Sequence, residues 1–249
     1  MQISTNEIME IIKNFKKTYI KNLLIYKIYR ILKYKPFISH SAFGEEILVN
    51  RILKNKYGFY IDVGALNPKV GSLTFLLYKK GWKGINFDLT KSNINLFKFL
   101  RKRDKSVQVA ISDKKSFVES YIFDSGSGLN SLNKKYADKW RKKIYKPYRI
   151  EKIRSNTLNS VIEEYNIPKD FDYLNIDVES HESKVLAGLD LKKYRPKLIT
   201  IEIHCSGLED IIKNDIYKHL RNNNYKLISY YFLTAFFIPD EDLTNLKSL

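Results

Sequence analysis

Apolar residues recur at helical spacing near the start of the chain: Ile8, Ile11, Ile12 and Phe15, then Leu23, Leu24, Tyr26 and Ile31, with Lys and Arg between them. The spacing predicts one or two amphipathic helices ending before Pro36, whose ring cannot continue a helix. From residue 58 the pattern changes. Short apolar runs at Gly58–Val63, Gly84–Asp88, Val107–Ser112, Tyr173–Asp177 and Leu198–His204 read as strands. Leu73–Lys80 and Asn93–Arg101 have helical period, and Gly81 and Lys102–Asp104 stop them. This alternation predicts βαβ units and a parallel sheet. Near-continuous apolar runs such as Leu198-Ile199-Thr200-Ile201 suit a sheet covered by helices on both faces. A helix is expected over Leu208–Asn222. Lys226–Tyr231 and Ala235–Ile238 then read as an antiparallel hairpin closing the sheet edge. The expected fold class is α/β: a Rossmann-like, mostly parallel seven-stranded sheet with an antiparallel C-terminal hairpin.

Between Asp124 and Ile150 the periodicity breaks down, and a Ser/Gly-rich stretch runs into a basic, aromatic one. We expect a mobile insertion over an active site here. The expected organisation is a helical segment over residues 1–40 and one catalytic domain over 41–249, carrying the insertion at 124–150. The N-terminal segment would cover the core, meet a partner in an oligomer, or touch a membrane surface peripherally.

Composition narrows this further. The single cysteine, Cys205, excludes an internal disulfide and a thiolate metal cluster, which fits a reducing cytoplasm. No stretch approaches the ~18 apolar residues of a membrane span, and Glu7, Glu10 and Lys13 interrupt any signal-peptide core. A cytoplasmic location is expected. The net charge is +17, and 35 of the 44 basic residues are Lys. One reading is that Lys simply fills solvated positions. The functional reading is a field that attracts an anion, such as a nucleotide-linked sugar, an acidic glycan, a membrane surface or RNA.

The chemistry clusters at strand ends. Tyr60-Ile61-Asp62-Val63-Gly64-Ala65 is a buried strand turning at glycine, where Gly64 lets backbone approach a ligand. Asp62 can anchor an ammonium group or organise the turn. The loop offers only Gly64 and Gly71, not G-x-G-x-x-G, which disfavours a pyrophosphate. Asp88 ends the second strand 26 residues after Asp62 and can accept the hydroxyls of an adenosine ribose. Ser112 and Asp113 end the third strand, where they could meet an adenine amino group. Asp177 and Glu179 share one side of the fourth strand by alternation, His181 follows, and Glu202-Ile203-His204 ends the fifth. Acids and imidazoles converging there suit a base that takes a hydroxyl proton, or a metal that acidifies one. Such a metal would have oxygen and imidazole ligands, with Asp177 and His204 as the expected pair.

Together, Phe59–Ala65, Gly81–Asp88, Ala110–Asp113, Ile176–Glu179 and Glu202–His204 resemble the FkbM-type methyltransferase family over roughly residues 41–240. The stretch His40–Glu46 is similar to the family's lead-in, with Gly44 where Gln is common. Ser180 stands where the family's Asp-Val-Glu-Gly has glycine. The resemblance implies a class I methyltransferase fold, which ordinarily ends in such a hairpin. It also implies S-adenosylmethionine as cofactor and O-methylation of a sugar or glycan hydroxyl, as in capsule or other surface polysaccharide biosynthesis. On that reading Asp62, Gly64, Asp88, Ser112 and Asp113 hold the cofactor. Asp177, Glu179, His181 and His204 face the acceptor, and magnesium, manganese or iron could sit on Asp177 and His204. Lys134, Lys135, Lys139, Arg141 and Lys143 could hold the diphosphate of an anionic nucleotide-sugar acceptor. The alternatives are an RNA methyltransferase using the positive charge, and a non-catalytic binding module. Intact acids at every strand end weigh against the module.

Overall fold

The computed structural model describes residues 5–22, 24–33 and 38–243. Its strands are β1 (Phe59–Val63), β2 (Lys83–Asp88), β3 (Lys105–Gln108), β4 (Ala110–Ile111), β5 (Ser116–Ile122), β6 (Arg149–Asn156), β7 (Tyr173–Ile176), β8 (Leu198–Glu202), β9 (Tyr225–Tyr231) and β10 (Thr234–Pro239). Seven of them form a Rossmann-like sheet in the order β3-β2-β1-β7-β8-β10-β9. β1, β2, β3, β7 and β8 are parallel, and β10 runs antiparallel to both β8 and β9.

Period-two alternation sorts the strand residues onto two cores. Ile61, Val63, Leu174, Ile176, Ile199 and Ile201 pack on one face with Val161, Leu186 and Leu220 from helices. Tyr60, Tyr173, Leu198 and Phe236 pack on the other with Val49 and Leu77. Helices therefore cover both faces.

Three elements differ from the sequence pattern. Val107–Ser112 is not one strand: β3 ends at Gln108, and Ala110–Ile111 crosses to pair with β6 in a second sheet of order β4-β6-β5. Ser112 N–H donates to the Asn156 carbonyl at 2.9 Å, continuing that departure. Leu208–Asn222 is broken into Leu208–Ile211 and Asp215–Asn222, because the Asn214 side chain caps the second piece by accepting from Ile216 N–H at 2.8 Å. The insertion carries a helix, Lys134–Ile144, capped by Asn133 and seated on buried Ala137.

The chain divides into one unit ending at Ile38 and another beginning at Ser39. The first contains the helices Thr5–Asn22 and Leu24–Leu32. Leu23, Pro36, residues 244–249 and the side chains of Ile8, Ile12, Phe15, Leu24 and Tyr26 lie outside the described residues. No described helix is long and apolar enough to cross a membrane.

Candidate active site

Strand order reverses between β1 and β7, and such a switch point opens a crevice beyond the carboxyl ends of the strands. A cleft enclosing about 840 Å³, its open mouth included, lies there. Leu66, Phe87, Leu89, Val109 and Ile111 give it apolar walls, and Asp62, Asp88, Asn130, Asn175, Asp177 and Glu179 give it polar ones.

Below the cleft, in-register pairing aligns Ser106, Asn86, Asp62, Asn175 and Thr200 across five strands. All are buried. Asp62 accepts from Asn175 Nδ2 at 2.9 Å and Thr74 Oγ1 at 2.7 Å. Burial raises its pKa, and these two bonds oppose the rise. Fully buried Arg101 donates to Thr74 Oγ1, Ser72 Oγ and the Pro68 carbonyl at 2.7 Å each, and lies 3.8 Å from Asp104. Gly64 is required by close approach: with φ +83°, a Cβ on it would lie 1.6 Å from the Asp177 carbonyl oxygen.

Asp88 lines the cleft with its oxygens unequally engaged. Oδ1 accepts from Thr90 N–H, Thr90 Oγ1 and Asn93 Nδ2, whereas among the described residues Oδ2 accepts only from Leu66 N–H at 3.0 Å, which leaves it acceptor capacity. Ser112 and Asp113 do not line the cleft. Ser112 Oγ lies 3.0 Å from His181 Nε2, and Asp113 is drawn outward by Lys184 at 2.7 Å, which lowers its pKa. His181 is thus brought to Ser112 rather than to the other acids, and burial lowers its pKa.

At the ends of β7 and β8 the environment inverts. Asp177 lines the cleft and is open to its solvent, with other carboxylates crowded around it. Desolvation raises its pKa well above the carboxylate range, and Glu202, Glu179 and Glu182 push it further. Desolvation and Glu202 raise Glu179 to about 7, opposed by a hydrogen bond from Tyr136 Oη and by the nearby His204. Desolvation also raises Glu182 to about 7. Glu202 Oε2 is buried without an aligned hydrogen bond, 3.2 Å from His204 Nε2, and the Glu202 contact raises the His204 pKa. Glu179, Glu202 and His204 each offer one ligand atom within 4.8 Å of the others. The fitting trio for a hard divalent cation is therefore two carboxylates and an imidazole. His204 belongs to it. Asp177, the other expected ligand, does not.

The turn carrying Glu179 is unusual. Glu179 (φ +57°) and Ser180 (φ +71°) are both left-handed, which explains a family glycine at this position. Here the turn is pinned: Glu182 Oε1 accepts from Val178 and Ser180 N–H, Ser131 Oγ donates to the Glu179 carbonyl, and Asn133 Nδ2 donates to the Ser180 carbonyl.

The insertion thus reaches the cluster through Ser131, Asn133 and Tyr136, which sequence reasoning missed. The available signal was Tyr136, Ala137, Trp140 and Ile144 at helical spacing behind an Asn cap. Its cations are placed otherwise. Lys134 and Arg141 contact Asp138, Lys143 lies over the Trp140 ring, and Lys135, Lys139 and Lys142 are exposed.

A family model described as the methyltransferase FkbM domain matches residues 62–227. No curated protein matches the chain. A TehB-like SAM-dependent methyltransferase from Corynebacterium glutamicum ATCC 13032 Kitasato is similar at 10% identity and TM-score 0.42, over 91% of this chain and 99% of its own. Precorrin-6y C5,15-methyltransferase from Geobacter metallireducens GS-15 is similar at 8% identity and TM-score 0.39, over 83% of this chain and 92% of its own. Likenesses this distant carry no argument, and the fold rests on strand order alone.

Proposed function

Because the chain belongs to the FkbM methyltransferase family, we propose that it transfers the methyl group of S-adenosylmethionine to a hydroxyl of a sugar, nucleotide-linked or within surface polysaccharide biosynthesis. The observation that carries this reading is the trio Glu179, Glu202 and His204 beside the cleft at the strand switch point, with Glu179 common to both. The catalytic unit is residues 41–249, with 124–150 as its cover.

The cleft fits the cofactor in its donor set. Asp88 Oδ2 keeps capacity for a ribose hydroxyl, Leu66, Leu89, Val109 and Ile111 offer apolar surface to adenine, and Asp62 offers charge to an ammonium group. Ser112, Asp113 and His181 act from behind, by holding β4. The cofactor supplies a methyl group already electrophilic on its sulfonium, so the protein's share is alignment and removal of the acceptor proton. His204, oriented by Glu202, takes that proton directly; were a divalent cation bound, Glu179, Glu202 and His204 would hold it, and it would supply acidification of the hydroxyl. Asp177 and Glu179 accept hydrogen bonds from neighbouring sugar hydroxyls. A diphosphate would lie outside the acidic cluster, at exposed Lys135, Lys139 and Lys142.

Mass spectrometry of nucleotide-sugar pools incubated with protein and S-adenosylmethionine tests this. The expected result is a sugar species heavier by one methylene, lost on exhaustive chelation if a cation is used and retained if His204 acts alone. Methylation confined to an RNA fraction would overturn the acceptor class.

A further inference from the structure

We propose that the helix Leu24–Leu32 lies in the plane of an anionic lipid surface, with its apolar face in the headgroup boundary. At about 100° per residue, Ile31, Ile28, Leu32 and Tyr29 fall on one arc, and Lys33, Arg30 and Lys27 fall on the opposite one. The four apolar side chains are exposed: Ile28 46%, Tyr29 50%, Ile31 73% and Leu32 79%. Leaving so much aliphatic surface in water on one short helix is unfavourable, at about 25 cal/mol per Å². The surrounding charge selects what covers it. No acidic residue occurs between Ile11 and Gly44, whereas eight Lys and Arg do. A second copy of this chain would bring the same excess of cations together in a two-fold contact, and like charges would oppose it. A nucleic acid would satisfy the cations and leave the isoleucines wet. An anionic bilayer satisfies both faces: acyl chains receive Ile28, Ile31 and Leu32, while lysines reach the headgroups along their aliphatic stems. This inference stands apart from the methyl-transfer reading and survives its failure.

The full chain should co-sediment with vesicles of phosphatidylglycerol and phosphatidylcholine, and not with phosphatidylcholine alone. The doubly substituted Ile28→Asp, Ile31→Asp chain should lose at least roughly 30-fold in binding. The Lys27→Glu, Arg30→Glu chain should lose a similar roughly 30-fold, about fivefold for each attraction removed. Raised salt should weaken the wild type and leave little for the charge-reversed chain to lose. Circular dichroism and cofactor binding, read alongside, should be unchanged in both variants. Three results would overturn the proposal: no association with the anionic vesicles, association that both substituted pairs leave intact, or a wild-type dimer by light scattering that Ile28→Asp with Ile31→Asp converts to monomer.

Discussion

Two polar clusters lie within a few residues of each other on β1, β7 and β8, and they are built on opposite principles. Under the cleft, Asp62 and Asp104 face neutral donors and one guanidinium: Asp62 has Asn175 and Thr74, and Asp104 has Tyr60, Asn86 and Arg101. At the ends of β7 and β8, Asp177, Glu179, Glu182 and Glu202 lie close together, and burial and repulsion from neighbouring carboxylates push the pKa values of Asp177, Glu179 and Glu182 up. A buried polar network with its bonds made rigidifies a fold, whereas one left incomplete is costly unless something else completes it. The first cluster is scaffold apart from Asp62, which also lines the cleft. The second is poised for a ligand.

Replacing one partner should separate them most sharply in the scaffold. Arg101→Met removes the guanidinium from a fully buried site and leaves Asp104, Thr74 and Ser72 short of donors. The loss expected is about 3–5 kcal/mol, the range for breaking a buried pair, measured by urea unfolding. A loss under ~1 kcal/mol would mean that the network is not what holds the loop under the cleft.

The acidic cluster should respond to pH, with the opposite sign to an ordinary salt-bridged carboxylate. Folded Glu179 and Glu182 keep their protons to about 7, against an ordinary 4.5. Between those values the folded state binds more protons than the unfolded one, so this contribution to stability falls as pH rises. It is fully present below about 4.5 and lost through 7, and the shift of each group corresponds to about 3 kcal/mol. Glu202→Gln removes the leading charge repulsion on both Asp177 and Glu179. Unfolding at pH 5 and pH 8 should therefore show a flatter dependence in Glu202→Gln than in the wild type. An unchanged slope would dissolve the contrast between the clusters.

How much of this was legible depended on range. Asp62, Asp88, Asp177, Glu202 and His204 stand at strand ends, and strand ends are readable from apolar runs because parallel strands are buried on both faces. The hairpin at Lys226–Ile238 was readable as two apolar runs joined by a short link. Who meets whom was not. His204 meets Glu202 and Glu179 rather than Asp177, because pairing of β7 with β8 and two left-handed residues at Glu179 and Ser180 set the carboxylate positions. Those are tertiary facts with only one local trace, a serine where the family has glycine. Tyr136 shares helical spacing with Ala137, Trp140 and Ile144, but five of the eleven residues of its helix are Lys, and that charge reads as a solvated surface. Asp113 illustrates the converse: its position at a strand end was readable, but Lys184, 71 residues away, draws it out of the cleft.

The cofactor is placed in the cleft around Asp88 and the acceptor beside it at Glu202 and His204, with Glu179 shared between them, and one titration tests that division. Calorimetry with S-adenosylhomocysteine should show Asp88→Asn weakened by about 1.5–3 kcal/mol, the range for charge-assisted hydrogen bonds, and Glu202→Gln binding like the wild type. Unchanged affinity in Asp88→Asn, or an equal loss in Glu202→Gln, would contradict it.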